Sequence, residues 1–271
     1  MIRYIFCIIL LAGVYPAFSQ TPDEPVHPEY LEITATAGLS SFRDVGVSPI
    51  IYNGFLIMGG VRYTYEGTRW QHSIEFDGGV GFYEATRFAV YKSTSINFAY
   101  GGFSRRQFWE SGRLNLRYYG GVRFHGLTNV RSNPSLLNAS NAVESINTLF
   151  LHNSLAWDLR FRKTDLTKAG AKPSRHELAF ELNLPIVTTS WLPDYPYITD
   201  FTDGEPNSTK SHEFYWGGLR LQTRLTYRYF LPNGNALRFT YWWDYTRTPE
   251  GFNQLDFINH TLQFGLVMRL N

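Results

Sequence analysis

Along most of the chain apolar and polar residues alternate with a period of two. Over residues 113–125, Leu114, Leu116, Tyr118, Val122 and Phe124 share one face, and Arg113, Asn115, Arg117, Tyr119, Arg123 and His125 share the other. Over 147–162, Leu149, Leu151, Leu155, Trp157 and Leu159 oppose His152, Ser154, Asp158, Arg160 and Arg162. Over 175–188, Leu178, Phe180, Leu182, Leu184 and Ile186 oppose Glu177, Glu181 and Asn183. A period of two places such sets on opposite faces of a β-strand. The same reading predicts about ten strands, at 30–40, 54–66, 69–83, 90–102, 113–125, 147–162, 175–188, 215–230, 236–247 and 259–271. No window after the N-terminus keeps a helical period.

The predicted strands are long, about 11–15 residues, where soluble strands average roughly 5–6. A tilted strand needs about 9–11 residues to cross a bilayer. The connections are uneven. Glu66-Gly67-Thr68 and Leu231-Pro232-Asn233-Gly234-Asn235 are short, with glycine where a tight hairpin needs positive φ. The links after the first, fifth, seventh and ninth strands are longer. Aromatic residues gather at strand ends: Tyr63, Tyr65 and Trp70 beside one turn, Tyr227, Tyr229 and Phe230 beside another, Trp191 and Tyr245 near long links. Rings with one apolar and one wet end suit the headgroup level of a membrane. The chain closes on HTLQFGLVMRLN, whose Leu262, Phe264, Leu266, Met268 and Leu270 keep the alternation. This strand is expected to pair with the first, near Tyr30–Ser40, so that no edge is left unsatisfied in lipid. The fold class is therefore an all-β, antiparallel, up-and-down transmembrane barrel.

The first residues, MIRYIFCIILLAGVYPAFSQ, combine Arg3, an apolar run from about Tyr4 to Val14, and Ala17-Phe18-Ser19. They read as a secretory signal peptide cut after Ser19. Residues 20–29, Pro-rich and acidic, read as a flexible periplasmic lead-in, leaving 30–271 for the barrel. The one cysteine, Cys7, lies in the signal, so the mature chain has neither disulfide nor thiolate chemistry. Aromatics at 17% and charged residues at 18% suit strands and turns. The net charge of +2, without Lys/Arg clusters, leaves no nucleic-acid footprint. Mean hydropathy of −0.25 averages over both strand faces and does not exclude a membrane barrel.

With this signal, the dyad strands over about 30–271 and the terminal Leu262-x-Phe264-x-Leu266-x-Met268-x-Leu270, the chain resembles the small outer-membrane β-barrel proteins of Gram-negative bacteria. The resemblance is architectural and points to no single functional family. It implies outer-membrane lipids as neighbours and the outer-membrane assembly machinery as a partner read through the last strand. Members usually end on an aromatic residue, whereas this chain ends Leu270-Asn271.

If the apolar faces meet lipid, the polar faces line the lumen. That set holds Arg62, Arg113, Arg117, Arg123, Arg160, Arg162, Arg220, Arg224, Arg228, Arg238 and Arg269 against Glu32, Glu66, Glu75, Asp77, Asp158, Glu177, Glu181 and Asp244. Arginine forks suit paired carboxylates in a confined space. Two readings follow, a salt-bridged plug and a narrow pore with slight anion preference. A third is a binding protein for a small solute or glycan, using the aromatic stretch Trp191-Leu192-Pro193-Asp194-Tyr195-Pro196-Tyr197-Ile198. An enzymatic alternative rests on His152-Asn153-Ser154. Barrel lipid hydrolases, outer-membrane phospholipase A and the lipid A deacylases among them, carry a His-x-Ser pair on one strand, so that imidazole can deprotonate the hydroxyl. In those families the pair faces lipid, whereas here it shares the face of Asp158 and Arg160, and no orienting third residue is evident. The acidic stretch Asp194, Asp200, Asp203 and Glu205 with His212 lacks the paired spacing of the omptin-type barrel proteases. The seven histidines form no His-x3-His pair, so neither a metal nor a cofactor is expected.

Overall fold

The computed structural model of the chain describes residues 27–45, 48–86, 89–111, 114–132, 141–161, 174–193, 212–249 and 254–270. The expected signal peptide and most of the lead-in lie outside them, as do Arg113, Arg162 and the stretch 194–211. The described strands are β1 (Glu29–Asp44), β2 (Ser48–Glu66), β3 (Trp70–Thr86), β4 (Ala89–Ser111), β5 (Leu114–Ser132), β6 (Asn141–Phe161), β7 (Ser174–Pro193), β8 (His212–Trp216), β9 (Leu219–Phe230), β10 (Ala236–Arg247) and β11 (Leu255–Arg269). Each pairs antiparallel with its neighbours, and β1 closes on β11 from Tyr30↔Arg269 to Asp44↔Leu255. The result is a closed barrel of ten strands plus one extra strand, β8, which among the described residues pairs only with the far part of β7. Closure leaves no ladder edge at the β1–β11 seam, as a lipid environment requires.

Burial is inverted relative to a soluble domain. Outward residues are apolar and open: Leu39 is 70% exposed and Leu262 68%, with Ile33, Ile57, Phe76, Val122, Ile186 and Phe239 also exposed. Inward residues are polar and closed: Glu75 is 4% exposed, Arg123 1% and Gln222 0%. A belt of this kind is stable only against lipid. The 12 residues of β10 extend about 40 Å at roughly 3.3 Å each, and tilted by about 40° they rise about 30 Å, one hydrocarbon thickness. The 23 residues of β4 exceed that nearly twofold, so this part of the wall is longer than one hydrocarbon thickness.

Three expectations need correction. The stretch after residue 40 is wall and not a long loop: β1 and β2 extend to Asp44 and from Ser48, leaving three residues between them. Phe42 stacks on Tyr52 at 4.9 Å and Ser41 Oγ donates to Asn53 Oδ1 at 2.6 Å, which keeps this hairpin paired past its turn-forming residues. The β4–β5–β6 walls likewise run on to Ser132 and back from Asn141. The expected single strand over 215–230 is broken in two. Gly217 and Gly218 take φ of 97° and 94°, a left-handed geometry that ends β8 and restarts the chain as β9. Opposite this break β7 carries a bulge. Pro185, which has no N–H to give, faces Phe150, and Ile186 and Val187 both point outward. Thr188, Ser190 and Leu192 therefore return to the inside, in the opposite parity to Glu177–Asn183.

Gly38 sits at the closing seam, facing Thr261. A Cβ there would lie 2.2 Å from the His260 carbonyl oxygen. Gly38→Val is expected to lower the folded yield into lipid vesicles, read as the heat-modifiable fraction on a gel. Ala37→Val, one residue away on the lipid face, is expected to leave it unchanged.

Candidate functional site

The candidate site is the lumen, and it is filled in tiers. At the end that carries the termini, Arg117 pairs with Glu177 and with Asp158 at 3.2 Å. Arg175 grips Asp158 through two bonds of 3.0 Å, and Arg228 reaches Glu177 at 2.9 Å. Arg175 also lies over the Phe230 ring at 4.1 Å. Between these groups is an open cavity of about 260 Å³.

The next tier crosses the barrel. Glu75 of β3 takes Arg224 of β9 through two bonds of 3.0 Å, Arg123 of β5 at 2.5 Å and Arg62 of β2 at 3.5 Å. Arg224 is backed by the Trp242 ring at 4.5 Å. Arg238 holds Glu32 at 2.6 Å and donates to Gln263. Asp77 accepts from Thr34 at 3.4 Å. Glycines make room for this crowding: a Cβ on Gly60 would meet the Asp77 carboxylate at 2.0 Å.

Above it, Arg220 pairs with Asp244 at 2.9 Å, and Gln222 bridges Asp244 and His125 at 2.9 and 2.8 Å. The far end is capped. Arg131 joins Asp44 at 2.6 Å to Glu144 at 2.8 Å. Its guanidinium lies over the Phe42 and Tyr91 rings at 4.8 and 5.6 Å. Phe42, Tyr52, Tyr83, Tyr91, Phe257 and Leu192 form one buried apolar cluster with Ile146 and Leu255. Aromatic rings at such edge and stacked contacts add specific attraction to their burial.

Thirteen of the fourteen expected lumen residues face inward: Arg62, Glu75, Asp77, Arg117, Arg123, Asp158, Glu177, Glu181, Arg220, Arg224, Arg228, Arg238 and Asp244. The fourteenth, Arg160, pairs through its backbone with Arg175, and its side chain lies outside the described set. Arg269 ends exposed at the rim. Sequence reasoning missed Arg131, Asp44 and Glu144 and the whole aromatic cap. The available signal was the continued alternation Ser40-x-Phe42-x-Asp44, overridden by the apparent turn residues that follow.

His152 and Ser154 both face inward and are buried. His152 Nδ1 contacts Asn183 Oδ1 at 2.7 Å, and its ring lies 4.1 Å from that of Phe103. Asn183 is the orienting partner the sequence did not reveal, because it is set by the register His152↔Asn183 between β6 and β7. Of the aromatic stretch, Trp191 is exposed and Leu192 is buried in the cap, while Asp194 to Ile198 lie outside the described residues.

No protein-family model matches the chain, and no curated protein matches it. Among solved structures it is similar to the outer membrane protease OmpT of Escherichia coli, at 7% identity and a TM-score of 0.49, over 92% of this chain and all of that one. The transport unit of the autotransporter AIDA-I of Escherichia coli matches at 10% identity and 0.42, over 93% and 92%. The COG4313 outer membrane channel of Pseudomonas putida matches at 11% and 0.33, over 92% and 100%. All three likenesses are architectural.

Among the described residues, Glu75 is the one carboxylate that holds three arginines from three strands. Glu75→Gln leaves those guanidiniums buried without their counter-charge, a loss of about 3–5 kcal/mol for a broken buried pair. Urea titration of the vesicle-embedded protein should show the drop, and Arg43→Gln, at the half-exposed outer pair with Asp256, should cost under about 1 kcal/mol.

Proposed function

We propose that the protein is an outer-membrane barrel, exported by its N-terminal signal, whose lumen is shut. It acts as a structural or binding protein and not as an open pore. The observation that carries this reading is the Glu75 cluster, which ties β2, β3, β5 and β9 together across the lumen. The Arg131 pair under the aromatic cap supports it at the other end. Each inward arginine with a described side chain has a carboxylate partner, so the arginine excess in the sequence leaves no free cationic path for anions. The termini and short turns then lie on the periplasmic side and the cap faces outward. The last strand, β11, which closes the wall, is the segment presented to the assembly machinery.

Planar-bilayer recording at high protein load tests this. The wild type is expected to give no discrete conductance steps, whereas Glu75→Ala combined with Phe42→Ala and Tyr91→Ala should produce them. Regular steps from the wild type would overturn the closed lumen.

A second reading, lipid hydrolysis, gains one observation: Asn183 orients the His152 imidazole two residues from Ser154. Against it, both side chains face a closed interior and not lipid. Fatty-acid release from phospholipid vesicles, lost in Ser154→Ala, would revive it. The expected result is no release above the buffer rate.

A further inference from the structure

The outward face of the barrel carries a charged row that takes no part in the lumen. Arg43 of β1, Asp256 of β11 and Arg247 of β10 stand side by side in the ladder. Their neighbours along the strands, Phe42, Asp44, Thr246, Leu255 and Phe257, are buried inside, so the alternation turns all three outward. Arg43 gives Nε and Nη2 to Asp256 Oδ2 at 3.2 and 2.5 Å, and Arg247 Nε stands 3.5 Å from Asp256 Oδ1. The Gln254 amide oxygen, turned toward Arg247, accepts from its Nε and Nη2 at 2.5 and 3.0 Å. Among the described residues the Nη1 group of each arginine has no partner, and the two side chains are 36% and 43% exposed. Two guanidiniums against one carboxylate leave this cluster with a net positive charge.

The wall beneath the row is ordered by depth. Toward the termini the next outward residues on these three strands are Tyr245, Ile258 and Ser41, then Trp243, His260 and Leu39. The Tyr245 and Trp243 rings stack with centroids 6.4 Å apart, and Tyr241 Oη meets His260 Nδ1 at 2.6 Å. Rings with a polar edge suit the headgroup level of a bilayer. Below them the outward wall is apolar, and it is not smooth. A groove of about 600 Å³ is floored by Ala35 and Ala37, between Ile57 on one side and Leu262 and Phe264 on the other. The two alanines make it, because every outward neighbour named here is larger.

From Arg43 to Ala37 the strand runs about 20 Å, which at a tilt of about 40° is about 15 Å of depth. That is half of a hydrocarbon thickness of roughly 30 Å, the depth of one leaflet. Arginine forks suit phosphate oxygens, and a groove in a lipid-facing wall suits a hydrocarbon chain. We propose that the β10–β11–β1 wall binds an anionic lipid on the capped side of the bilayer, its phosphate at Arg43 and Arg247 and an acyl chain in the Ala35–Ala37 groove. The site faces the bilayer, so it does not depend on whether the lumen is shut.

Native mass spectrometry of the folded, detergent-solubilised protein tests it, with phosphatidylglycerol, phosphatidylcholine and glycerol phosphate as ligands. The wild type should hold phosphatidylglycerol about fivefold more tightly than phosphatidylcholine, the worth of an exposed ion pair. Glycerol phosphate, a head without chains, should neither bind nor compete. Arg43→Gln combined with Arg247→Gln should bring the two lipids to within about twofold of each other. Asp256→Asn, which releases both forks, should widen the preference, and it covers the case in which the double variant does not fold. Ala37→Phe, which fills the groove, should weaken both lipids alike. Arg69→Gln, at an exposed arginine beside the β2–β3 turn at the other end, should change nothing. Equal retention of the two lipids by the wild type, an unchanged preference in the double variant, or a preference that Asp256→Asn leaves or lowers would overturn the proposal. Competition by glycerol phosphate would make the row a plain anion site and do the same. So would a wild-type dimer that Ala37→Phe dissociates, since the groove would then hold a second copy of the chain.

Discussion

The interior of this barrel depends on one constraint: a wall that is apolar outside must carry its polar side chains inside, where there is little room for water. A charge brought into that space costs several kcal/mol unless it is paired and its remaining donors are met. With ten strands around it, the lumen is narrow enough for side chains from opposite walls to touch. Arg224 reaches from β9 to Glu75 on β3, residues 149 positions apart in sequence. Pairing is therefore the condition on which so many arginines can be there at all, and it ties the far walls of the barrel together as a consequence. Arginine suits the task better than lysine because one fork can satisfy two partners, as Arg131 does between Asp44 and Glu144.

The same constraint explains the glycines. Long side chains that cross the lumen have to lie against the wall at some level, and they do so where the wall has no Cβ. The Phe103 ring occupies the place a Cβ on Gly101 would take, at 2.2 Å, and Asp77 does the same over Gly60. On the lipid side Gly59 and Gly78, in register with each other, meet nothing closer than a carbonyl at 3.7 Å. The adjacent glycine pairs thus split their roles by face, one residue yielding space to the lumen and the other exposing bare wall.

What could be read in the sequence was whatever is local. Alternation between neighbouring residues sets strand identity and facing, so the inward facing of residues from Arg62 to Asp244 is legible in the sequence. The closure of β1 on β11 was legible because a lipid-facing strand cannot end unpaired. Three things were not legible. Strand ends were misread wherever Ser, Asp, Gly and Pro imitate a turn, since at 41–53 the stacking of Phe42 on Tyr52 outweighs local preference. The break at Gly217-Gly218 depends on positive φ, which the letters allow and do not require. Partners across the lumen, such as Asn183 for His152 or Glu75 for its arginines, follow from register and barrel diameter, and no spacing along one strand encodes either.

The two ends are built on different physics, and this gives the molecule a direction. At the capped end, closure comes from stacked rings around one arginine, contacts that exclude water and keep their strength whatever the ionic strength. At the terminal end the contacts are mainly ion pairs, some of them partly open, such as that of Arg175, whose side chain is 36% exposed and lies over the Phe230 ring. Salt weakens exposed pairs and leaves buried ones nearly untouched. The terminal end is thus the softer of the two, with the Glu75 cluster lying between it and the cap. The polar interior thus holds the far walls together, by ion pairs at the terminal end and by rings around one arginine at the other.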